Sequence, residues 1–275
     1  MNINVTVIDG IALLGFAAVI PLVLGRLPWW WAAACAALAG SFALPRGPAV
    51  VAALPLAAAA AVALRDRLRA AGPPFWWDLP QLAEVAAACY AAVAAGAVVA
   101  SRWGLSLFGV HEPIVELTAV HYAFAGAGAS FLAARAARGR PGSRAAVAAV
   151  LLTAGAPPLV ALGFVTGSAL PQVGGAVLMT LGVWCTASLE LAEATRPARP
   201  LVRAGLLVSG LAVWAPMVLA VAWAAGQHWA IPVLSIHDMA RTHGLANALA
   251  FVLCGLVARR LDVDVQAGER VGATR

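Results

Sequence analysis

The feature that most constrains this chain is a succession of apolar runs, each close to the length that crosses a bilayer. They fall at about 8–25, 28–44, 47–64, 79–100, 113–134, 145–166, 169–190, 201–224 and 238–258, against a need of roughly 17–25 residues per helical span. The second and third are short with soft boundaries, so eight to ten spans bracket the count of nine. With 63% of residues hydrophobic, 11% charged and a mean hydropathy of +0.88, the chain carries more apolar surface than a soluble domain of 275 residues covers. Backbone in lipid must satisfy its own hydrogen bonds, which leaves a helical bundle. The expectation is an all-α polytopic integral membrane protein, with one transmembrane domain over 1–260 and a short cytoplasmic tail over 261–275.

The arginines set the orientation, because every basic residue is Arg. With nine spans, one side of the membrane receives Arg26, Arg65, Arg67, Arg69, Arg135, Arg138, Arg140, Arg144, Arg196, Arg199, Arg203, Arg259, Arg260, Arg270 and Arg275. The other side receives Arg46, Arg102 and Arg241. Fifteen against three predicts an N-out, C-in topology in the plasma membrane. The net charge of +6 then reflects topology and not a nucleic-acid partner. The clusters Trp29–Trp31 and Phe75–Trp77 fall at the inner interface, where aromatic belts lie. Pro157-Pro158 predicts a break in the sixth span, and Pro216 one in the eighth.

Other features bound the function. The N-terminal MNINVTVIDG has no basic stretch before its apolar run, which argues against a cleaved signal peptide. Cys35, Cys89, Cys185 and Cys254 stand singly in apolar runs, without CxxC or Cys/His spacing, and read as small hydrophobes. No internal repeat is visible, which counts against transporter folds built from inverted halves.

Two stretches break the apolar monotony: Glu112–Tyr122 (EPIVELTAVHY) and Ile236–Arg260 (IHDMARTHGLANALAFVLCGLVARR). On this topology His111, His121, His228, His237 and His243 all lie in the outer half, together with Asp9, Glu112, Glu116 and Asp238. Glu112 and Glu116 share a helix face, with His121 about 140° from Glu116. In the ninth span, Asp238, Arg241 and Thr242 form one stripe, and Met239, His243 and Asn247 another. Asp238 with Arg241 is the expected ion pair, and His243 with Asn247 a polar pair deeper in the membrane. Glu112 and His237 read as interfacial groups; Glu84 and Glu190, near the inner ends, read as structural partners of loop arginines. Glu116, His121, His243 and Asn247 are deeper, where a central charge costs about 2.5–3.5 kcal/mol on insertion scales. Their retention points to function.

The chain has no HExxH, Walker loop, GxSxG or cysteine-based site. No HxxxH or ExxH pair presents two metal ligands at helical spacing, so neither a metal nor another cofactor is expected. Proton chemistry remains, with carboxylates and imidazoles tuned by low dielectric. A carboxyl kept neutral by burial can protonate an alkene, and aromatic faces such as Tyr122, Phe124, Trp103 and Trp214 can stabilise the resulting cation. The same groups serve equally well as a proton relay in a transporter. Residue chemistry leaves both readings open.

The segments LTAVHYAFAG (117–126) and MARTHGLANALAF (239–251) resemble the paired motifs of the YndJ-like bacterial integral membrane proteins, over roughly residues 110–258. That pattern has a second His just after the first, where this chain has Tyr122 and Ala123, a departure that counts against an inherited metal site. The family is often described as transporters, so the resemblance implies a membrane carrier. In size and span number the chain is also similar to the small membrane-bound terpene cyclases of drimentine-type indole–sesquiterpenoid pathways. This second resemblance implies proton-initiated cyclisation of a lipophilic, farnesyl-type prenylated substrate, without metal. It fits the absence of both DDxxD and DxDD motifs.

The sequence favours the membrane cyclase, with a proton-coupled transporter or exporter as the alternative: Glu116 or Asp238 is then the general acid, and His121 and His243 orient or reprotonate it. Tyr122 and Asn247 line the pocket with Phe124 and Trp103, and Arg241 sets the charge state of Asp238. On the transporter reading the same cluster relays protons. The lack of polar residues continuing along an inner path counts against that reading; the outer placement of the cluster counts against the cyclase, whose substrate would be made inside.

Overall fold

The computed structural model describes residues 7–196 and 199–262. Arg270, Arg275 and all of the expected tail beyond residue 262 lie outside the described residues. The described residues form helices joined by turns and loops, with an isolated bridge between Leu107 and Val110. Seven helices are long and apolar enough to cross a membrane: α1 (Val7–Leu24), α4 (Leu79–Trp103), α5 (Ile114–Arg138), α6 (Arg144–Thr166), α7 (Ala169–Ala194), α8 (Pro200–Gly226) and α9 (Ile236–Asp262). Between the first two lie the shorter α2 (Trp31–Ser41) and α3 (Val50–Ala71), the last turns of α3 carrying Arg65, Asp66, Arg67 and Arg69. All nine apolar runs are therefore helices.

Close packing follows from the small residues. The most extensive contact joins α6 and α7. A Cβ on Gly175 would lie 2.8 Å from Val160 N, and one on Gly182 2.9 Å from Thr153 N. Glycine at these positions lets the two backbones approach, as membrane helices require when no hydrophobic force drives them together.

The prolines follow expectation in the eighth span but not in the sixth. Helix α6 runs unbroken through Pro157 and Pro158, so no break occurs there. The missing N–H of Pro158 instead frees Ala154 O four residues earlier, and Tyr90 OH from α4 donates to it. In α8 the helix is interrupted at Val213, three residues before Pro216, and Trp214 Nε1 donates to Gly210 O at 2.8 Å. The aromatic belt is also revised. Trp29 is exposed, but Trp31 is buried and its indole donates to Phe16 O at 3.0 Å.

Three helices carry π-helical segments: Gly15–Val19 in α1, Tyr122–Gly128 in α5, and Ala240–Gly244 and Ala246–Leu253 in α9. These segments pack against one another in the core. A Cβ on Gly15 would meet Ala123 Cβ at 3.0 Å, and one on Gly128 would meet Val252 Cγ1 at 2.5 Å. Such turns re-aim side chains and occur often at functional sites. The two unusual sequence stretches supply two of the three.

Charges gather at the two ends of the bundle. Arg67 and Arg138 both pair with Glu84, and Arg259 pairs with Glu190 and Glu193. Chain direction puts both groups at the arginine-rich end, which the positive-inside tendency makes the cytoplasmic one. Arg46, Glu112 and Glu116 meet at the other end.

Candidate functional site

At the outer end, Glu116 sits in the first turn of α5 and is 6% exposed. It lies 3.7 Å from Arg46 Nη2 and within side-chain hydrogen-bonding reach of buried Asp9 of α1. Glu112, one turn earlier, lies 3.6 Å from the same Arg46 nitrogen and accepts from Glu116 N at 3.3 Å. Arg102, at the end of α4, is 5% exposed, rests over the Phe42 ring at 4.6 Å and acts on Glu116 electrostatically. Arg102 Nε, Glu112 Oε1, Glu116 Oε1 and Ser101 Oγ are buried without a hydrogen-bond partner. Buried polar atoms of this kind are normally satisfied, so the cluster has unused capacity for water or a ligand.

The two candidate imidazoles differ in setting: His121 of α5 is exposed at the surface of the bundle, with Nδ1 2.8 Å from Leu117 O, while His243 of α9 is half-buried, with Nδ1 2.8 Å from Pro216 O. A carbonyl only accepts, so in each ring Nδ1 carries a hydrogen. The two rings are within electrostatic reach of each other. Asn247 donates from Nδ2 to His243 O at 2.9 Å, while its buried Oδ1 has no partner. The expected His243–Asn247 pair is therefore formed. Tyr122 faces Tyr90 with 5.4 Å between ring centroids, and its hydroxyl reaches Pro157 O at 3.5 Å.

A second polar group lies near Phe251, one turn beyond Asn247 in α9. Ser209 Oγ of α8 lies 2.8 Å from Phe251 O and 2.7 Å from Glu190 Oε2. Glu190 is fully buried, and its Oε1 lies 3.9 Å from Arg259 Nη2. Ser209 has one hydroxyl hydrogen for two oxygen neighbours, so the trio is complete when Glu190 itself carries a proton. Without that proton, Glu190 has Ser209 and the Arg259 guanidinium. Glu116 has the same duality: a shared proton with Asp9, or Arg46 as counter-charge.

Several site expectations change. Asp238 and Arg241 form no ion pair among the described residues, and both are exposed. Asp238 instead joins a reciprocal cap at the start of α9: its N–H donates to Ser235 Oγ at 3.1 Å, and Ser235 Oγ donates to its Oδ2 at 2.7 Å. The stripes drawn at 3.6 residues per turn fail beyond Met239 because α9 is π-helical there. Trp103 is 57% exposed at the end of α4. Phe124 is buried, its ring edge 3.2 Å from where a Cβ on Gly15 would stand. Trp214 stacks on Trp184 at 5.3 Å. Ser209, Glu190 and Arg259 form a separate polar group at the arginine-rich end of the bundle.

Arg46 and Arg102 join the site although the sequence marks them only as topology residues, and Asp9, grouped there with the outer acids but given no role, pairs with Glu116. Among the described residues, no three His, Cys, Asp or Glu side chains are arranged to hold a metal ion.

The apolar helices of membrane-spanning length among the described residues define a polytopic integral membrane protein of the helical-bundle class. The family described as "YndJ-like protein" matches residues 11–251, so the chain belongs to the YndJ-like family. No curated protein and no solved structure matches it.

Proposed function

We propose that this YndJ-like protein is a proton-coupled transporter of the plasma membrane. The observation that carries the reading is a matched pair of buried acids at the two ends of the bundle. Glu116 and Glu190 each have a partner suited to the protonated state, Asp9 and Ser209 respectively. Each also has an arginine suited to the ionised state. A proton-loading group needs a favourable arrangement in both states, and intramembrane acids are expected to mark such relays. On this reading His121 and His243 carry the proton between the two acids, with Asn247 beside His243. Asp238, exposed and committed to capping, serves the start of α9, with Arg241 beside it at the surface.

A second reading retains one supporting observation: Glu116 and Asp9 lie beside each other, and Glu116 shares α5 with Tyr122 and Phe124. This reading is acid-initiated cyclisation of a lipophilic prenylated substrate, with Glu116 donating its proton to the alkene and a neighbouring base taking one back. It assigns no role to Glu190.

Sealed vesicles containing the protein, loaded with a pH-sensitive dye, separate the two. A panel of lipophilic compounds, including a farnesylated indole, is added while proton flux is followed and the extracts are analysed by mass spectrometry. Substrate-dependent proton flux without chemical change, abolished by Glu116→Gln and by Glu190→Gln, is the expected result. A product of unchanged mass and altered retention, lost in Glu116→Gln but kept in Glu190→Gln, would replace the transporter with the cyclase.

A further inference from the structure

At the cytoplasmic end, a cavity of about 390 Å³ opens between the start of α4 and the α5–α6 turn, within the roughly 300–1,000 Å³ range of small-molecule sites. Its walls include Trp77, Asp78, Arg138, Leu79, Pro141 and Val147. Asp78 and Arg138 face this one space, yet form no ion pair with each other among the described residues. Each is anchored elsewhere. Asp78 Oδ1 accepts from Gln81 N at 3.3 Å as the cap of α4. Arg138 Nη1 donates to Glu84, which Arg67 also engages. These anchors hold an anion and a cation apart across the cavity. Asp78 Oδ2 and the remaining guanidinium N–H groups have no described partner.

A fixed anion and a fixed cation across one space fit a dipolar ligand better than a singly charged one. The level in the membrane narrows the choice. Trp77 is 80% exposed and Trp76 half exposed at the same end of the bundle, as belt residues at the headgroup layer are. We propose that this cavity seats the headgroup of a zwitterionic phospholipid bearing a primary ammonium. The phosphodiester lies on Arg138, whose planar donors match phosphate oxygens. The ammonium lies between the Asp78 carboxylate and the Trp77 face, which attracts cations. A trimethylammonium headgroup has no N–H to give Asp78, and a purely anionic headgroup would meet Asp78 as a like charge. Leu79, Pro141 and Val147 offer apolar wall to the lipid's glycerol and upper chain, which a soluble phosphoethanolamine lacks. The site is separate from Glu116 and Glu190, and its test is independent of transport.

The test is native mass spectrometry of the full chain purified in detergent, supplied with phosphatidylethanolamine, phosphatidylcholine and phosphatidylglycerol in equal amounts. Phosphatidylethanolamine should be retained several-fold over the other two. Asn caps helices about as well as Asp, so Asp78→Asn should fold, and it should lose that preference, with phosphatidylglycerol rising to parity or above. Arg138→Gln should lower retention of all three. Equal retention of the three lipids by the wild-type chain would overturn the proposal, as would an unchanged preference in Asp78→Asn. Displacement of the lipid by equimolar soluble phosphoethanolamine would show a metabolite site in place of a lipid site.

Discussion

Replacing Trp31 by Phe removes the hydrogen that Phe16 O depends on. In the π-helical turn of α1, Ile20 N donates to Gly15 O, five residues back. The next donor in that register would be residue 21, which is Pro and has no N–H. Phe16 O is thus left to side chains: Trp31 Nε1 at 3.0 Å and the weak donor Cys35 Sγ at 3.5 Å. A buried acceptor that loses its partner costs about 1–3 kcal/mol, and partial replacement by the thiol puts Trp31→Phe in the lower part of that range, apart from its packing loss. Pro21→Ala supplies a backbone N–H that can reach Phe16 O. In that background the hydrogen-bond part of the Trp31→Phe cost should shrink, while the packing part stays. The expected coupling is about 1 kcal/mol. It is measured from the unfolding free energies of the four proteins in mixed detergent–SDS micelles. Additivity within about 0.3–0.5 kcal/mol would refute the account of how α1 is held in its π register, and with it the reason Gly15 packs on Phe124.

Gly128→Ala should destabilise by about 1–3 kcal/mol through overpacking, because the new Cβ stands 2.5 Å from the stiff Val252 side chain. Gly155→Ala, where nothing lies within 4 Å, should instead stabilise by about 0.5–1 kcal/mol, and the same micelle assay reads both. Glu84→Gln leaves Arg67 and Arg138 without their shared anion. Because both guanidiniums are about a third exposed, the loss should be about 1–3 kcal/mol, below the range for a fully buried pair. Asn247→Ala removes the donor to His243 O and should slow substrate-dependent proton flux in vesicles while the protein still purifies as a folded species; an unchanged rate would remove Asn247 from the proposed relay.

Legibility differed sharply between fold and site. Every helix could be placed from its apolar run, and Glu84 could be assigned a loop arginine because an acid at a helix end has few other partners within reach. The His243–Asn247 contact was also readable, since one turn separates the two residues. The Asp238–Arg241 pair was not, because a nearer partner, Ser235, caps the same turn. Trp31 was taken for a belt residue because its neighbours Trp29 and Trp30 looked alike in sequence; only the free carbonyl of Phe16 distinguishes it. Likewise, Pro158 signals an orphan carbonyl, but nothing in the sequence says that Tyr90 satisfies it.

The sequence by itself determined that the chain is a membrane helical bundle, and its arginine bias predicted which end faces the cytoplasm. Both follow from local quantities: the length of an apolar run and the sign of the loop that follows it. Tertiary structure set which ionisable groups meet. Asp9 meets Glu116 across α1 and α5, and Ser209 meets Glu190 across α7 and α8, contacts set by how the helices pack. It also decided the π register of α1, α5 and α9, because a turn that forgoes regular backbone hydrogen bonds persists only where a neighbouring helix supplies the missing partners.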